Sequence, residues 1–274
     1  MESRVLRLFA LSLLPLPLLI VGAFANSATT VQLGTAGSYA VLAGSTVTNT
    51  GSSVLTGDLG LSPGGGGCSP TGFPPGHVLG TTNICNGAAA QAERDLTTAY
   101  VKAAGLSPTR TLTGKDLGGM TLTSGVYFFA KSAQLTGTLI LEGTPGSQFV
   151  FQIGSTLTTA SSSSVIFINS LTGKQSTDAD IFWQVGSSAT LGTGTTFEGN
   201  ILANTSITLT TGASIGCGSA LAMNGAVTLD NNVIGGGCGG SKSVVPEPGT
   251  LGLLGTGLAV VAGVGRRKLH RALI

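Results

Sequence analysis

Short alternating segments of apolar and polar residues recur through the second half of the chain. Phe151-Gln152-Ile153-Gly154-Ser155 returns as Trp183-Gln184-Val185-Gly186-Ser187, and a short threonine-containing strand follows each copy. Aligned on threonine and leucine, the strands at Thr190, Thr208 and Thr228 follow one another at nearly equal steps, the period of about 20 residues that is typical of solenoids. Short strands that return in this way, with glycine at the turns, indicate a β-helix whose coils stack to bury one continuous core.

An earlier copy precedes this series at a longer distance. The step from Thr156 to Thr190 is too long for a single coil, so we expect an insertion there, and the polar segment 174–180 is the candidate. Ala133-Gln134-Leu135, one further period before Thr156, is the candidate for a still earlier rung. A β-sandwich also has short strands, but it does not predict that threonine and leucine return in phase.

Alternation within each strand assigns its side chains to the inside or the outside of a coil. The predicted inward residues are Leu157, Ala189, Leu191, Ile207, Leu209, Val227 and Leu229. The predicted outward residues are Thr156, Thr158, Thr190, Thr208, Thr210 and Thr228. Candidates for the other inward faces are Val126, Phe128, Ile140, Phe149, Phe151, Ile166, Ile168, Phe182, Phe197 and Ile201.

One helix is predicted to interrupt the solenoid. Residues 87–104 are rich in alanine, Asn86 is a candidate N-cap, and Gly105 suits the C′ position beyond the helix end. The apolar side chains fall on one stripe, formed by Ala92, Leu96, Ala99, Tyr100 and Ala103. Such a stripe must pack against something, and a flank of the solenoid is available. The Gly/Pro-rich loop 63–85 is interpreted as a cap over an open solenoid end, where strand edges would otherwise be unpaired.

The N-terminus is predicted to be a secretory signal peptide, residues 1–25. Arg4 and Arg7 precede an apolar stretch, and Ala23-Phe24-Ala25 fits the small-x-small rule for cleavage before Asn26. The alternative for this segment is an N-terminal membrane anchor.

The C-terminal segment 244–274 has three parts. Pro246-Glu247-Pro248 is followed by the uncharged, mostly apolar stretch 249–265 and then by Arg266-Arg267-Lys268. The apolar stretch is just long enough for a membrane-spanning helix, with the basic cluster on the cytoplasmic side. This order resembles the bacterial PEP-CTERM sorting signal. The resemblance implies a Gram-negative bacterium, an exosortase-type processing enzyme as partner, and release or attachment at the cell surface; a permanent single-span anchor is the alternative.

The chain has unusually few charges. Charged residues make up 9%, against roughly 25% in ordinary globular proteins, while 42% of the residues are hydrophobic and 44 are glycine. Low charge with this apolar content argues against disorder. The net charge of +2 belongs to the two ends, because residues 27–240 hold six basic and nine acidic residues. A mildly acidic middle argues against nucleic-acid binding, which needs clustered lysine and arginine.

The four cysteines, Cys68, Cys85, Cys217 and Cys238, all lie in the part predicted to be exported. Disulfides suit an oxidising compartment, and four cysteines allow three pairings. The pairing Cys68–Cys85 with Cys217–Cys238 is favoured, and free buried thiols are the alternative.

The residues typical of catalysis are sparse. His77 is the only histidine between the two sorting segments, so neither a catalytic triad nor a zinc site is predicted. Asp178 and Asp180 are interpreted as a solvated loop rather than as calcium ligands. We therefore expect no enzyme, no metal and no cofactor.

Several segments resemble the bacterial and fungal ice-binding proteins with a discontinuous β-solenoid. They include Tyr39-Ala40-Val41-Leu42-Ala43, Leu55-Thr56-Gly57-Asp58-Leu59-Gly60, Gly125-Val126-Tyr127-Phe128 and Gly199-Asn200-Ile201-Leu202-Ala203. The resemblance covers roughly residues 30–235 and so extends over the predicted exported domain, 26–243. It implies a mainly β fold: a right-handed β-helix of triangular cross-section, with one long α-helix packed alongside and a capping region. We expect a monomer.

The resemblance also implies that the outward threonine face contacts ice. Adjacent coils lie about 4.8 Å apart and alternate residues about 6.8 Å apart, so the face carries a grid of hydroxyls and methyls with repeats of the same order as ice lattice spacings. Threonine is stiff at χ1, which lowers the entropy cost of binding. The predicted ice-binding residues are Thr156, Thr158, Ser188, Thr190, Ser206, Thr208, Thr210 and Thr228. Antifreeze activity and inhibition of ice recrystallisation are the expected functions.

A second function stays open at this point. Outward threonine is common on any β-rich surface, and the rows are irregular. Gln134 breaks the first rung, Asp230 follows the last, and Gly192 lies where Thr158 and Thr210 would align. The alternative is a cell-surface or exopolysaccharide-matrix structural or adhesive protein without ice activity. Either function places the protein outside the cytoplasm, with transient or final anchoring in the inner membrane by residues 249–265.

Overall fold

The computed structural model describes residues 30–65 and 67–236. Within these residues, 24 short strands wind around one apolar core as three sheets, and one α-helix lies along the first of them. The sheets form the three sides of each coil. All neighbouring strands pair in parallel except β14 (Ser164–Asn169) and β15 (Lys174–Ser176), which are antiparallel.

The bounds of the strands follow, sheet by sheet. Sheet A holds β1 (Tyr39–Ala43), β4 (Asp58–Leu61), β6 (Thr82–Ile84), β7 (Arg110–Thr111), β9 (Gly125–Phe129), β12 (Gln148–Ile153), β16 (Asp180–Val185), β19 (Asn200–Ala203) and β22 (Ala220–Ala222). Sheet B holds β2 (Val47–Thr50), β10 (Ala133–Leu135), β13 (Leu157–Thr159), β17 (Ala189–Leu191), β20 (Ile207–Leu209) and β23 (Val227–Asp230). Sheet C holds β14 and β15 with β3 (Val54–Leu55), β5 (His77–Val78), β8 (Thr121–Thr123), β11 (Thr138–Gly143), β18 (Thr196–Phe197), β21 (Ser214–Ile215) and β24 (Val233–Ile234).

The order of the coils in space differs from their order in the chain. In sheet B the strands run β10-β13-β17-β20-β23-β2, so the second strand of the chain pairs with the second from last. The first coil, β1 to β3, therefore stacks on the last coil, and β4 to β6 extend the same end. The chain then returns along the flank as α1 (Gly87–Ala104) and starts again at the opposite end with β7. This is the discontinuous solenoid that the family resemblance implies.

The core is aliphatic with one aromatic stack. All the predicted inward residues of sheet B are at most 1% exposed, which confirms their assignment. Phe151 and Trp183 stack with ring centroids 3.9 Å apart, and Phe197 packs on Trp183 at 4.9 Å. The indole N–H of Trp183 donates to the backbone oxygen of Glu198, so its polar group is satisfied inside the core.

Six other candidates for the inward faces lie outside this core. They are Val126, Phe128, Ile140, Ile166, Ile168 and Phe182. Phe182 is buried, but under α1 on the outer side of sheet A, and Val126 packs against the same cluster. For the residues of sheet A the inward prediction was wrong because a sheet that is covered on both faces carries apolar residues in both phases of the alternation. Ile140, Ile166 and Ile168 belong to sheet C, where they are half-buried and lie outside the core.

Helix α1 covers the outer face of sheet A. The Asn86 side chain accepts a hydrogen bond from Ala89 N–H at 2.9 Å, which confirms the predicted N-cap. The buried stripe of Ala89, Ala92, Leu96, Ala99 and Ala103 packs on outward apolar residues of the sheet, among them Leu42, Leu202 and Leu221. Gly105 ends the helix with φ −85°, so it does not use the left-handed conformation expected at C′.

Different segments close the two ends of the solenoid. At one end, loop 63–85 adds β5 and β6 to sheets C and A, and a single bridge pairs Thr71 with Thr48 of sheet B. The Cys68–Cys85 disulfide links the start of this loop to its end. At the other end, Leu112 and Leu117 fold over the core and are at most 2% exposed.

The predicted sorting segments lie outside the described residues. This applies to the signal peptide 1–25, the PEP-CTERM segment 244–274 and its apolar stretch 249–265. Among the described residues, no helix has the length and hydropathy needed to cross a membrane.

Candidate functional site

The outer face of sheet B carries one threonine from each of six neighbouring chain segments. The registers pair Thr158 with Thr190, Thr190 with Thr208, Thr208 with Thr228, Thr228 with Thr48, and Thr48 with Thr71. We refer to these six residues as the threonine ladder. Gln134 continues the column beyond Thr158.

The registers correct the sequence alignment of the first rungs. Thr158, and not Thr156, lies opposite Thr190, so the step between these rungs is shorter than the alignment gave. Gln134 likewise pairs with Thr158 instead of with Thr156. Both outward positions of this segment are threonine, so the residue pattern alone could not choose between the two registers. The predicted insertion is present as strand β15, which pairs back on β14.

The inward position after Thr158 carries a further threonine. Thr159 is 3% exposed and pairs through its hydroxyl with that of Thr195 at 2.8 Å. It also accepts a hydrogen bond from Gly192 N–H. Gly192 therefore aligns with the residue after Thr159, and not with Thr158 as the sequence alignment suggested.

Four of the eight predicted residues use their hydroxyl groups inside the protein. Thr156, Ser188 and Ser206 each come two residues before a ladder threonine. Ser188 accepts from Ser206 N–H at 3.3 Å, and Thr156 donates to Ser132 at 2.9 Å. Ser206 accepts from Ala226 N–H at 3.2 Å, and the Thr210 hydroxyl donates to the Leu191 carbonyl at 2.8 Å. Each of these four side chains thus makes a hydrogen bond to a neighbouring coil.

The other four, Thr158, Thr190, Thr208 and Thr228, belong to the ladder. Within the described part of the chain, the hydroxyls of Thr158, Thr190 and Thr208 have no intramolecular partner. Thr48 and Thr228 approach each other at 3.4 Å. The ladder threonines of β13, β17 and β20 each follow a fully buried side chain, so packing below the face fixes the backbone that presents them. The ladder therefore offers unused hydroxyls and methyls on a fixed frame, about 4.8 Å apart.

The face is almost free of charge. The six strands of sheet B contain one charged residue, Asp230, which accepts a hydrogen bond from the Thr211 hydroxyl. Asp116 lies beyond Gln134 and accepts from Gly118 N–H at 2.7 Å and Thr136 N–H at 2.9 Å. Burial opposes the charge of Asp116, but these hydrogen bonds hold its pKa below the ordinary value. Both carboxylates thus lie away from the middle of the ladder.

Sequence reasoning missed two ladder residues, Thr48 and Thr71. A signal for the first was present, because Ser45-Thr46-Val47-Thr48 has the pattern of Ser155-Thr156-Leu157-Thr158. This segment lies far upstream of the repeats, so their period does not connect it with them. Thr71 lies in a Gly/Pro-rich loop that has no periodic pattern, so nothing in the sequence pointed to it.

The structure also bears on the remaining candidate sites. Cys68 and Cys85 form the predicted disulfide, Cys217 is disulfide-bonded, and Cys238 lies outside the described residues. No group of three or more metal-ligating side chains occurs in the described ranges. Asp180 is not part of a solvated loop, because it begins β16, is 8% exposed, and has its pKa raised by burial.

A comparison with protein-family models decides the family. The ice-binding-like family matches residues 41–235, which is most of the described solenoid. The chain belongs to the ice-binding-like family. A second model, the PEP-CTERM protein-sorting motif, matches residues 244–268 of this ice-binding-like protein and indicates export. That match contains the predicted sorting residues Pro246, Glu247, Pro248, Arg266, Arg267 and Lys268, all outside the described residues.

Individual relatives agree with the family. An ice-binding protein from Nostoc sp. (strain HG1) is 54% identical over 254 residues, which cover 90% of this chain and 91% of the relative. The crystal structure of an ice-binding protein from the Antarctic ascomycete Antarctomyces psychrotrophicus matches with a TM-score of 0.69 at 41% identity, covering 74% of this chain and 97% of that one. An ice-binding protein from an Antarctic biological consortium matches with a TM-score of 0.67 at 44% identity, covering 74% and 89%.

Proposed function

We propose that this ice-binding-like protein is exported and binds ice through the outer face of sheet B. One observation carries the assignment of the face: threonines from segments as distant as Thr48, Thr71 and Thr228 meet in a single in-register column. A fold that only needed outward threonines for β propensity would have no reason to align them across a break in the coil order.

The chemistry of this column suits ordered water. Free hydroxyls donate and accept hydrogen bonds, while the neighbouring methyls tolerate structured water without competing for it. The absence of charge within the strands of sheet B, apart from Asp230, avoids strongly hydrated groups that would disorder such a layer. Relatives across bacteria and fungi are named for ice binding and not for a reaction, so the protein acts as a binding protein and not as an enzyme.

The test is inhibition of ice recrystallisation by purified residues 26–243 at micromolar concentration. Thr190→Lys and Thr208→Lys each place a hydrated charge in the middle of the ladder. They should abolish inhibition while leaving the melting temperature unchanged, because both side chains point outward. The matched control is Thr97→Lys on the exposed side of α1, which adds the same charge away from sheet B. Full activity in both ladder variants would reject sheet B as the binding face.

The same preparations separate ice binding from the exopolysaccharide-matrix function. A matrix protein should retain exopolysaccharide in a pull-down and show no effect on ice crystals. Binding to polysaccharide with no ice activity in the unmodified protein would favour the alternative and contradict the proposal.

The final steps of export are part of the proposal. The sorting motif supports recognition by an exosortase-type enzyme, and the apolar stretch 249–265 would hold the precursor, transiently or finally, in the inner membrane. We propose that the exported domain is a monomer. Mass spectrometry of the mature C-terminus and light scattering of residues 26–243 test these points; an intact 244–274 tail on mature protein would contradict processing.

A further inference from the structure

A cavity of about 490 Å³ lies at the carboxyl end of α1, on the outer face of sheet A. Its floor is aliphatic, because Val126 of β9 and Val150 of β12 lie opposite each other and Leu106 packs on the same apolar cluster. Binding sites for small molecules are concave, mostly apolar and of roughly 300–1,000 Å³. This cavity, which we call the α1 cavity, therefore has the size and the apolar floor of such a site.

Carbonyl oxygens beside the α1 cavity are already paired. The side-chain amide of Gln152 donates to the carbonyl oxygens of Ala103 and Leu106, both at 2.8 Å. The carbonyl oxygen of Val126 accepts from the N–H of Thr109 at 2.8 Å and from its hydroxyl at 2.9 Å. Since these carbonyls are satisfied within the protein, a ligand that brings only donors gains little here.

The side chain of Gln148, by contrast, has an unused donor. Gln148 lines the cavity from β12, and its Oε1 accepts a hydrogen bond from the Val31 N–H at 3.2 Å. This bond assigns the oxygen to that side of the amide, so Nε2 lies on the other side, where it is buried without a partner. The last torsion of a glutamine side chain is broad, so a modest turn presents Nε2 to the cavity. A buried donor without a partner is unfavourable, and a ligand that accepts from it removes this cost.

Two further donors lie at the edge of the cavity, on Lys102 and Ser107. Both side chains are exposed, and neither forms a hydrogen bond or an ion pair with another described residue. Among the described residues that line the cavity, Lys102 alone is charged. Asp180 lies opposite Gln148 in β16, but it is 8% exposed and does not line the cavity. The α1 cavity is thus positive, with free donors around an aliphatic floor.

We propose that the α1 cavity binds an organic carboxylate with a compact apolar body. The apolar body lies on Val126 and Val150, and the carboxylate oxygens accept hydrogen bonds from Lys102 and Gln148. A carboxylate suits these donors because it carries only acceptors and a negative charge, and charge-assisted hydrogen bonds are stronger than neutral ones. The cavity is on sheet A and the threonine ladder is on sheet B, so this binding does not depend on ice.

The test is a titration of residues 26–243, which contain the whole closed core, with cyclohexanecarboxylate. Nuclear magnetic resonance should show the side-chain amide of Gln148 shifting to saturation as the acid is added. Cyclohexanecarboxamide has the same shape without the charge and should bind roughly tenfold more weakly. Galacturonate has the carboxylate on a ring of the same size that carries hydroxyls, and it should also bind roughly tenfold more weakly, because the floor is aliphatic.

Substitution of the lysine tests the carboxylate contact. Lys102→Met keeps the length of an exposed side chain and removes its charge, so the fold should be retained and affinity for the acid should fall roughly tenfold. Lys174→Met, which removes an exposed charge from β15 of sheet C, is the matched control and should bind the acid normally. Thr208→Lys should also bind it normally, because the ladder is on another face.

Four results would overturn the proposal. They are no shift of the Gln148 amide at millimolar acid, equal affinity for the acid and its amide, unchanged affinity in Lys102→Met, and a loss of affinity in Thr208→Lys. Galacturonate that binds as tightly as cyclohexanecarboxylate would reject the apolar body. Lys102→Met should inhibit ice recrystallisation as the unmodified protein does, so failure of the ice function and failure of the carboxylate site are seen in separate measurements.

Discussion

At the scale of single residues, outward hydroxyls on sheet B divide by what they already bond. Thr190 and Thr208 keep theirs free, whereas Thr210 gives its hydroxyl to the carbonyl of Leu191. The sequence shows outward threonine at all three positions, and alternation correctly predicts which side chains face out. It cannot predict hydrogen-bond partners, which depend on the position of the neighbouring coil. This is why the sequence could not show that four of the eight predicted residues also bond to a neighbouring coil.

Thr48 and Thr228 provide a prediction about the ladder as a continuous column. Thr48→Lys and Thr228→Lys should lower inhibition of ice recrystallisation to a similar extent, although the two residues come from opposite ends of the domain sequence. The physical reason is that each places an ammonium on neighbouring rungs of the same face. Recrystallisation assays at matched concentration measure this. A loss in one variant with full activity in the other would mean that the N-terminal coil is not part of the binding face.

Gln152 gives a prediction about stability. Its side-chain amide donates to the carbonyls of Ala103 and Leu106, both at 2.8 Å, and so ties the end of α1 to sheet A. Gln152→Ala removes both hydrogen bonds, one of them to the buried Ala103 carbonyl, and should cost about 1–3 kcal/mol. Calorimetry should show a fall in Tm of roughly 2–4 °C for each kcal/mol. Gln175→Ala, on exposed β15, is the control and should leave Tm unchanged.

At the scale of elements, α1 and the end loop convert a repetitive coil into a closed domain. The helix was predictable to its boundaries, because its cap and apolar stripe are local signals. The side-chain directions in sheet A beneath the helix were not predictable, because alternation along a strand does not show which face of the sheet a helix will cover. Phe182 illustrates the limit: its strand was recognised, and its side chain was assigned to the wrong side.

The helix carries a carboxyl group that makes stability depend on pH. Burial raises the pKa of Glu93 to about 8, and its Oε1 is buried without a partner. Glu93 is therefore protonated in the folded protein at pH 7 and ionised in the unfolded chain. Its stabilising contribution is complete below about pH 4.5 and is lost as the pH rises through about 8. Glu198, 5% exposed with its pKa raised by burial to about 7, acts in the same direction.

We expect Tm to fall between pH 5 and pH 9. One third of the rise in the pKa of Glu93 corresponds to a loss of about 1.5 kcal/mol in the free energy of unfolding, which lowers Tm by roughly 3–6 °C. Glu93→Gln, which has the same shape and cannot ionise, should reduce this slope, while Glu142→Gln on the exposed side of β11 should not. A pH dependence identical in Glu93→Gln and the unmodified protein would contradict the assignment.

The end loop supplies the prediction for the disulfide. The bonded cysteines have a sequence separation of 17, and opening a loop of that size costs roughly 3 kcal/mol in the chain-entropy account. Cys68→Ser with Cys85→Ser should therefore lower Tm. It should also reduce ice activity, because Thr71 lies inside the loop. A reduced Tm with full ice activity would show that the ladder ends at Thr48.

At the scale of the whole molecule, the repeats specify the fold class but not the order of the coils. Each rung is a local pattern, and the nearly equal steps from Thr190 to Thr208 and Thr228 are visible in the sequence. The pairing of β2 with β23 is not local, and no periodicity connects them. Resemblance to the family suggested the break in coil order, and the registers place it beside β23. The sequence thus predicted the ladder threonines of the later coils and missed Thr48 and Thr71 at one end.

The break in coil order also has a consequence for synthesis and export. A chain that emerges from its amino end delivers Thr48 early, and its partner Thr228 arrives only when nearly the whole domain has been made. Pairing across such a separation is slow, because the loop between the strands must first be closed. The first coil therefore stays uncovered on one side until the last coil has been synthesised and can pair with it. A polypeptide that ends before β23 would lack both a closed core and a complete face. Its uncovered core would be accessible to proteases.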